Sequence, residues 1–559
     1  MDKVKYSRLS LMMFLEYAVW GAWLPVAGRY LGGGLGFSGA QIGTILGFAG
    51  AVGAICAPFI AGQLADRYFN TERFLAFLFM AGGAVKWYTA TQTSYQAWLW
   101  LSIIYSVLYM PTIALTNSLA FAHLDDQEKE FPYVRVWGTI GWIAASWIFP
   151  WIWIQTDLKF TSMPPFLEGP EKDGAVMLLA NALKFSGILS FALGIYSLTL
   201  PATPPKKEGV AKLAFAKAFA LFRYSSFTTL VGASLLISIV HTIYFIHTGS
   251  FLSDIGLKDG HIGPAMSIGQ FAEIIVLAPL GFLLAKLRMK KVIFAGCMAY
   301  VARYAIFGTP SFPLEIIVVS QFLHGVCFSC YYAAAFIYID AIAEEDIRNS
   351  VQTVFGIILL GIGPILAGTV YGQTLGASSV SYTLVEAQNA LLDEAESGET
   401  RVRVLYAQQN KLFQHLKGLA GKDKTSQEAL SSPLASMEAA ATSLWAQNPQ
   451  DAIVKQKEAL AELKKIGPAI AANEEWSKSN SFSRVNYGKF WYTMAAIGFV
   501  AGMLILVAFI DQSKEAAEAQ AAEGGDSSGD EAGGEEEEAG EEDDEADGDQ
   551  GDAKDQWDF

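Results

Sequence analysis

Long apolar windows recur along the chain and are separated by short polar connections. Each window covers roughly 18–25 residues, which is the length a helix needs to cross the hydrocarbon core of a bilayer. Hydrophobic residues make up 52% of the 559 residues and charged residues only 17%, a balance more apolar than that of ordinary soluble domains. Because backbone polar groups inside a bilayer must be satisfied within the segment, the sequence predicts an all-α membrane protein.

The windows predict about twelve transmembrane helices in two sets of six. The first block starts near Arg8 and runs past Leu31, which is too long for the core of a cleavable signal peptide. The predicted spans are 8–31, 41–64, 73–92, 96–121, 131–154 and 176–200 in the first set, and 227–252, 262–285, 290–309, 314–341, 351–375 and 489–510 in the second.

Charge patterning predicts the orientation. Basic residues concentrate at the amino terminus and in alternate loops of one side, for example Lys206, Lys207, Lys290 and Lys291, and such loops are usually cytoplasmic. Both termini are therefore expected in the cytoplasm, as an even number of spans also requires. The net charge of −16 belongs to the acidic tail, so the membrane-spanning part is mildly basic.

Composition divides the chain into six predicted regions. A Pro- and Lys-rich stretch is typical of a cytoplasmic linker between two halves, and a long polar segment with leucines at helical spacing predicts an extracytoplasmic helical insert. For the insert we favour a solvated spacer over a lid or a partner-binding module, and for the acidic tail we predict disorder. The regions are 1–200 (amino-terminal half), 201–226 (linker), 227–376 (first five helices of the second half), 377–488 (insert), 489–510 (twelfth helix) and 511–559 (tail).

A polar stripe is predicted on the fifth span. Arg135, Thr139 and Trp142 follow one another at spacings of four and three, so a helix places them on one face. Gly138 and Gly141 permit another helix to approach closely. From position alone, two interpretations have equal weight: Arg135 lines a solute pathway, or it anchors the cytoplasmic end of the helix.

Several other ionisable residues fall inside predicted spans. A carboxylate at mid-bilayer is costly unless it is paired or hydrated, so Glu273, which follows Gln270 at a spacing of three, predicts either a transport pathway or a buried ion pair. Glu16 is a candidate proton carrier, and the alternative is that it pairs with a basic loop. For Lys86 and Arg303 we favour structural pairing or snorkelling to an interface.

Aromatic residues and histidines complete the set of candidates. Tyr331 is among the aromatic residues that would stack on a planar ring if they faced one cavity, and ordinary packing is the alternative. His241 and His324 favour hydrogen bonds between helices over metal binding, because no metal-ligand spacing appears. No catalytic or nucleotide-binding motif stands in a suitable context. The sequence therefore predicts no enzyme, no cofactor, no metal and no nucleic-acid partner.

Twelve spans in two sixes, with Gly62-Gln63-Leu64-Ala65-Asp66-Arg67 after the second, resemble the major facilitator superfamily. Within it, the chain is similar to the bacterial nucleoside:proton symporter family. The segments that carry this resemblance are Trp20-Gly21-Ala22-Trp23-Leu24, Tyr109-Met110-Pro111-Thr112 with Asn117, Arg135-Val136-Trp137-Gly138-Thr139-Ile140-Gly141, Ser267-Ile268-Gly269-Gln270 with Glu273, and Ile347-Arg348-Asn349-Ser350. The motif after the second span implies that Gly62, Asp66 and Arg67 form a brace between helix ends in the cytoplasmic loop.

The resemblance implies that Arg135, Thr139, Trp142, Gln270 and Glu273 line a central nucleoside site. Thr242 and Tyr331 are added as candidate substrate contacts, and Glu273 and Glu16 as proton-coupling residues. Family members carry an aspartate where this chain has Ser329.

The expected activity is import of a nucleoside with a proton by alternating access, in a multi-pass protein of the plasma (inner) membrane. Two alternatives stay open. One is a proton-coupled transporter of sugars or another small polar metabolite, and the other is a transport-inactive sensor or scaffold whose 377–488 insert binds an unknown partner.

Overall fold

A computed structural model describes most of the membrane part of the chain. It describes residues 3–61, 68–162, 166–205, 221–223, 225–309, 312–343, 348–382 and 482–512, and the single positions 431, 435 and 454. The predicted motif residues Gly62, Asp66 and Arg67 lie outside the described residues, as do most of the linker, most of the insert and nearly all of the acidic tail.

The described chain is mostly helical. Its long helices are α1 (Lys3–Gly34), α2 (Gly39–Ala61), α3 (Thr71–Thr89), α4 (Tyr95–His123), α5 (Gln127–Trp153), α6 (Ala175–Ser197), α7 (Ser225–Asp254), α8 (Asp259–Leu277 with Leu280–Leu287), α9 (Met289–Gly308), α10 (Leu314–Ile342), α11 (Val351–Ser378) and α12 (Tyr487–Ala508). We call α1–α6 the amino-terminal set and α7–α12 the carboxyl-terminal set.

Within the described ranges, nine helices are long and apolar enough to cross a membrane, and the bent pair of α8 makes a tenth. The remaining two are α3, which contains Glu72, Arg73 and Lys86, and α5, which contains Arg135. Each of the twelve begins and ends within a few residues of a predicted span, because the apolar windows are sharply bounded by polar and glycine-rich connections.

Local breaks in the helices follow from proline. In α1, residues 22 and 23 form a turn before the short helix Leu24–Arg29, which has Pro25 near its start. In α8, the two segments meet at 60° on either side of Pro279, whose ring removes a backbone donor from the helix. The sequence analysis predicted continuous helices at both places.

Two short antiparallel ladders correct the all-α prediction. In the connection between α5 and α6, β1 (Lys159–Phe160) pairs with β2 (Leu167–Glu168). At the two ends of the insert, β3 (Ser379–Tyr382) pairs with β4 (Phe482–Val485). Both lie beyond the helix ends, where extended backbone needs partners for its polar groups and finds them in a neighbouring strand.

The two sets of helices touch on one side, which we call the outer side and define as the side on which α1 and α7 end. There Gly28 lies against the backbone of Ile246, and Gly43 against that of Gly368, so closely that a Cβ on either glycine would overlap the opposing carbonyl oxygen. Backbone contact of this kind is what glycine permits between membrane helices. The structure is therefore closed between the two sets on the outer side.

Charged groups reinforce this closure. Arg29 at the end of α1 pairs with Asp259 at the start of α8 at 2.9 Å. In the connection that follows α5, Glu168 pairs with Lys258 at 3.0 Å, and a Glu171 carboxyl oxygen accepts a hydrogen bond of 2.6 Å from the backbone N–H of Gly260. All three contacts join the amino-terminal set to the carboxyl-terminal set, and we call them the outer clasp.

Candidate functional site

The two sets also meet through α5 and α8, which run side by side. The indole Nε1 of Trp147 donates a hydrogen bond of 2.7 Å to Oγ of Ser267, and Gly263 lies against the backbone of Ser146. These contacts fix the register of two helices that each carry candidate residues further toward the opposite side. The predicted residues of the fifth and eighth spans are thereby brought to one interface.

Arg135 is partly buried and lies beside α1. Its guanidinium carbon is 4.0 Å from the centre of the Tyr17 ring, a cation–π contact between α5 and α1. The guanidinium also acts electrostatically on the carboxyl groups of both Glu16 and Glu273. One cation therefore acts on two carboxyl groups, one in each set of helices.

Glu16 is the most enclosed of these groups. Its side chain is 0% exposed, and its Oε1 accepts a hydrogen bond of 2.8 Å from Thr112 of α4. The Tyr109 hydroxyl donates to the Glu16 backbone carbonyl at 2.7 Å. Within the described structure its Oε2 has no hydrogen-bond partner, so half of the carboxyl group is free to bind a proton or an incoming donor.

Glu273 and Gln270 lie one turn apart on α8. Glu273 is partly exposed, and Gln270 is buried, with an amide oxygen that lacks a partner within the described residues. Gly325 of α10 packs against the backbone at Ala272 and Glu273, which holds this part of α8 in place. An ionisable group and an unsatisfied amide oxygen therefore stand together on the carboxyl-terminal side of the interface.

Thr139 and Trp142 are buried on α5. Gly21 of α1 lies against the backbone and indole of Trp142, and Gly141 lies against the backbone of Phe14. The glycines of the predicted stripe thus permit the close approach of another helix, as predicted, and that helix is α1. This packing carries Glu16 and Tyr17 to the same region as Arg135.

Two predicted residues have other surroundings. Tyr331 is fully buried within the carboxyl-terminal set, where its hydroxyl lies 3.0 Å from Oγ of Ser234 and its backbone packs on Gly296. Thr242 on α7 is partly buried. Ser329 is buried and its hydroxyl has no partner among the described residues. Of the predicted residues, Arg135 acts electrostatically on Glu16 and Glu273, whereas Tyr331 lies among α7, α9 and α10.

Tyr17, the residue beside Glu16 whose ring contacts the Arg135 guanidinium, is not among the candidates predicted from the sequence. The signal available was its spacing: Tyr17 and Trp20 are three residues apart on one face of α1, opposite the glycines of α5. For Lys86, whose predicted role is pairing or snorkelling, no carboxylate partner is present among the described residues, and its partners are aromatic rings. Lys86 is 4% exposed and its ammonium is 3.2 Å from the Trp23 ring centre.

Comparison with known proteins identifies the family of this chain. A family model described as nucleoside H+ symporter matches residues 3–388. The putative nucleoside transporter YegT of Escherichia coli K12 is 33% identical over 370 residues, covering 64% of this chain and 82% of the relative. The nucleoside permease NupG of the same organism is 28% identical over 389 residues, covering 66% and 87% respectively.

Solved structures show the same fold. A crystal structure of the nucleoside transporter NupG superposes with a TM-score of 0.58 at 25% identity, covering 68% of this chain and 92% of that one. A bacterial homologue of the lysosomal transporter Spinster, in an inward-facing conformation, has a TM-score of 0.56 at 13% identity and covers 91% of this chain, a likeness of fold alone. The chain is a multi-pass membrane transporter with the major facilitator fold, and it belongs to the nucleoside proton symporter family.

Proposed function

We propose that this chain imports nucleosides together with protons, and that Arg135, Glu16 and Glu273 couple the two. The observation that carries the proposal is that Arg135 acts electrostatically on a carboxyl group of each set. An arginine presents several donors in a fixed plane, which suits the hydroxyl and carbonyl acceptors of a nucleoside. A site shared by the two sets changes its surroundings whenever the sets move relative to each other.

Proton coupling is assigned to the two carboxyl groups. Keeping an ionised carboxylate in a bilayer costs several kcal/mol more than keeping the neutral acid unless it is paired. A proton or the Arg135 guanidinium is therefore needed whenever Glu16 or Glu273 is closed off from water. When the substrate binds Arg135, the guanidinium no longer compensates the charge of Glu16 or Glu273, and the carboxyl group must then take up a proton. Substrate binding is in this way coupled to protonation.

The remaining roles follow from placement. We assign Gln270 and Thr139 to hydrogen bonds with the nucleoside and Trp142 to the stacking surface of the pocket. Thr242 is assigned to the α7 side of the same pocket. Tyr331 is retained only as a residue that shapes α10 behind the pocket. For Gly62, Asp66 and Arg67 we keep the brace that the family resemblance implies.

Twelve transmembrane helices are proposed, with α3 and α5 added to the ten that pass on length and apolarity. Their lengths of 19 and 27 residues are sufficient, because a helix rises 1.5 Å per residue. The halves are 1–200 and 227–376 with 489–510, joined by the linker 201–226. Both termini are placed in the cytoplasm, and the 377–488 insert and the closed outer side on the opposite face.

Transport of radiolabelled nucleosides into proteoliposomes tests the proposal. An imposed proton gradient should drive accumulation in the wild type, and an uncoupler should abolish it. Glu273→Gln and Glu16→Gln are expected to lose gradient-driven accumulation while retaining exchange. Arg135→Ala should lower uptake by about 10- to 100-fold, as expected for losing a charged hydrogen bond.

Asp173→Asn is the matched control, because Asp173 is an exposed carboxylate outside the interface and its loss should leave uptake unchanged. Uptake that survives the uncoupler but requires sodium would contradict proton coupling. Accumulation of sugars in preference to nucleosides would contradict the substrate assignment.

A further inference from the structure

Two buried cations outside the nucleoside site occupy matching places in the two sets of helices. Lys86 lies on α3 and Arg303 on α9, each about four turns from the start of the third helix of its set. Lys86 is 4% exposed and Arg303 is 0% exposed. No carboxylate among the described residues pairs with either one or acts on it electrostatically. Burying an uncompensated cation is costly, so other interactions with the surroundings must offset this cost.

Aromatic rings surround both cations. The Lys86 ammonium lies 3.2 Å from the ring centre of Trp23 on α1 and 3.8 Å from that of Tyr105 on α4. The Arg303 guanidinium carbon lies 4.2 Å from the ring centre of Tyr244 on α7. Cation–π attraction is strongest where water is excluded, as it is at both places.

The fourth helix of each set supplies the second partner. Tyr105 of α4 lies over Lys86, and His324 of α10 receives a hydrogen bond of 2.8 Å from Arg303 at its Nδ1. Each cation therefore stands on the third helix of its set and binds an aromatic ring of the first helix and a ring of the fourth. The arrangement is the same in both sets although the residue types differ.

The rings on the first helices stand next to the outer contact. Trp23 lies at the break in α1, five residues before Gly28 of the short helix Leu24–Arg29, and Tyr244 lies two residues before Ile246 on α7. Gly28 and Ile246 are among the residues through which α1 and α7 touch. Each cation thus holds the part of its first helix that closes the outer side.

We propose that Lys86 and Arg303 are positioning residues that act as a matched pair of clamps, holding α1 and α7 in the outer-closed arrangement. Loss of a clamp frees the break in α1, or the facing part of α7, and shifts the protein toward an outer-open form. The proposal rests on the alternating access proposed above, in that two such forms must exist.

Thiol labelling of the purified full-length protein measures the outer-open form directly. Ser146 is buried against Gly263 where α5 meets α8, so Ser146→Cys reports separation of the two sets. The background carries Cys56→Ala, because Cys56 is partly exposed while the other three native cysteines are buried. Labelling with a water-soluble maleimide then follows opening without needing a nucleoside, a gradient or a defined orientation.

Lys86→Met keeps the length of the side chain and removes its charge, and we expect labelling to be about tenfold faster, the effect of losing one desolvated cation–π contact. Lys86→Arg keeps a cation at this position, so it should label as slowly as the protein with Lys86. Arg303→Met is expected to change labelling in the same direction as Lys86→Met. Lys184→Met, which removes a partly exposed lysine of α6, is the control and should have no effect.

Trp23→Leu removes the cation–π contact with Lys86 from the α1 side. If Lys86→Met does not fold, the labelling rate of Trp23→Leu tests the clamp in its place. Wild-type labelling rates in folded Lys86→Met and Trp23→Leu would overturn the clamp. The two proposals fail separately: absence of nucleoside uptake with faster labelling rejects the substrate assignment alone, and normal uptake with unchanged labelling rejects the clamp alone.

Discussion

At the scale of single residues, Arg135 links the two sets of helices, because its guanidinium contacts the Tyr17 ring of α1 and acts electrostatically on Glu273 of α8. The polar stripe of Arg135, Thr139 and Trp142 follows from spacing alone, because helical geometry fixes which residues share a face. The partner of Arg135 does not follow, since which helices pack together depends on the whole fold. The aromatic setting of Lys86 was equally hidden, because Trp23 and Tyr105 are distant from it in the sequence and aromatic residues abound in every span.

Glu171 of the outer clasp gives a pH prediction. Burial, with a smaller contribution from nearby Asp259, raises the pKa of the Glu171 carboxyl from 4.5 to about 7. An acid with a higher pKa in the folded protein binds its proton more tightly there than in the unfolded chain, so it stabilises the fold less as the pH rises between these values.

We expect Glu171→Gln to match the wild type in thermal stability at pH 5 and to unfold about 1–3 °C higher at pH 8. Glutamine stays neutral, and its amide oxygen still accepts from the Gly260 N–H. Asp173→Asn, an exposed neighbour in the same loop, should change neither value. Equal midpoints for Glu171→Gln and wild type at pH 8 would contradict the prediction.

At the scale of elements, existence and boundaries of helices were predictable, and their breaks were not. Apolar windows locate α1 and α8 to within a few residues. The turn before Leu24 and the 60° bend at Pro279 depend on neighbouring helices that compensate the freed backbone groups. The β3–β4 ladder was also missed, since its strands are about a hundred residues apart in sequence and each is too short to give a periodic signal.

The contact between α2 and α11 gives a prediction at this scale. A Cβ at Gly43 would lie 2.3 Å from the carbonyl oxygen of Gly368, whereas a Cβ at Gly50 of the same helix meets no atom within 4 Å. Gly43→Ala therefore forces the two helices apart on the outer side, and we expect a clear fall in the maximal rate of nucleoside uptake.

Gly50→Ala is the matched control, because it adds the same methyl group to the same helix in open space. It should transport normally and be slightly more stable, since alanine favours the helix. Surface expression and the thermal midpoint of both variants separate a transport defect from misfolding. Normal uptake by Gly43→Ala would show that this glycine contact is not needed for the transport cycle.

At the scale of the whole molecule, the family and the transport mechanism were predictable because the motifs are spread over both halves. What the sequence left open is which side of the transporter is closed. Closure depends on the glycine contacts between α1 and α7 and between α2 and α11, and on the outer clasp. These interactions join residues of different halves, and no local pattern encodes them.

The insert gives the prediction at this scale. Tyr382 and Phe482 are paired neighbours on antiparallel strands, so joining them by Asn-Gly in place of residues 383–481 would complete a two-residue hairpin. We expect this deletion variant to fold and to take up nucleosides at a rate within about twofold of the wild type, because β3 keeps its ladder partner and α12 its register. Loss of uptake in a folded variant would show that the insert takes part in transport.

The paired strands at the base of the insert have a practical consequence for imaging. Neighbouring strands lie about 5 Å apart, so a rigid soluble domain whose own chain ends are equally close can be grafted between Tyr382 and Phe482 with two connections rather than one. Attached at both ends beside α11 and α12, such a domain would turn with the carboxyl-terminal set as a single body. It would provide an alignment mark for electron cryomicroscopy of a transporter otherwise hidden in its micelle.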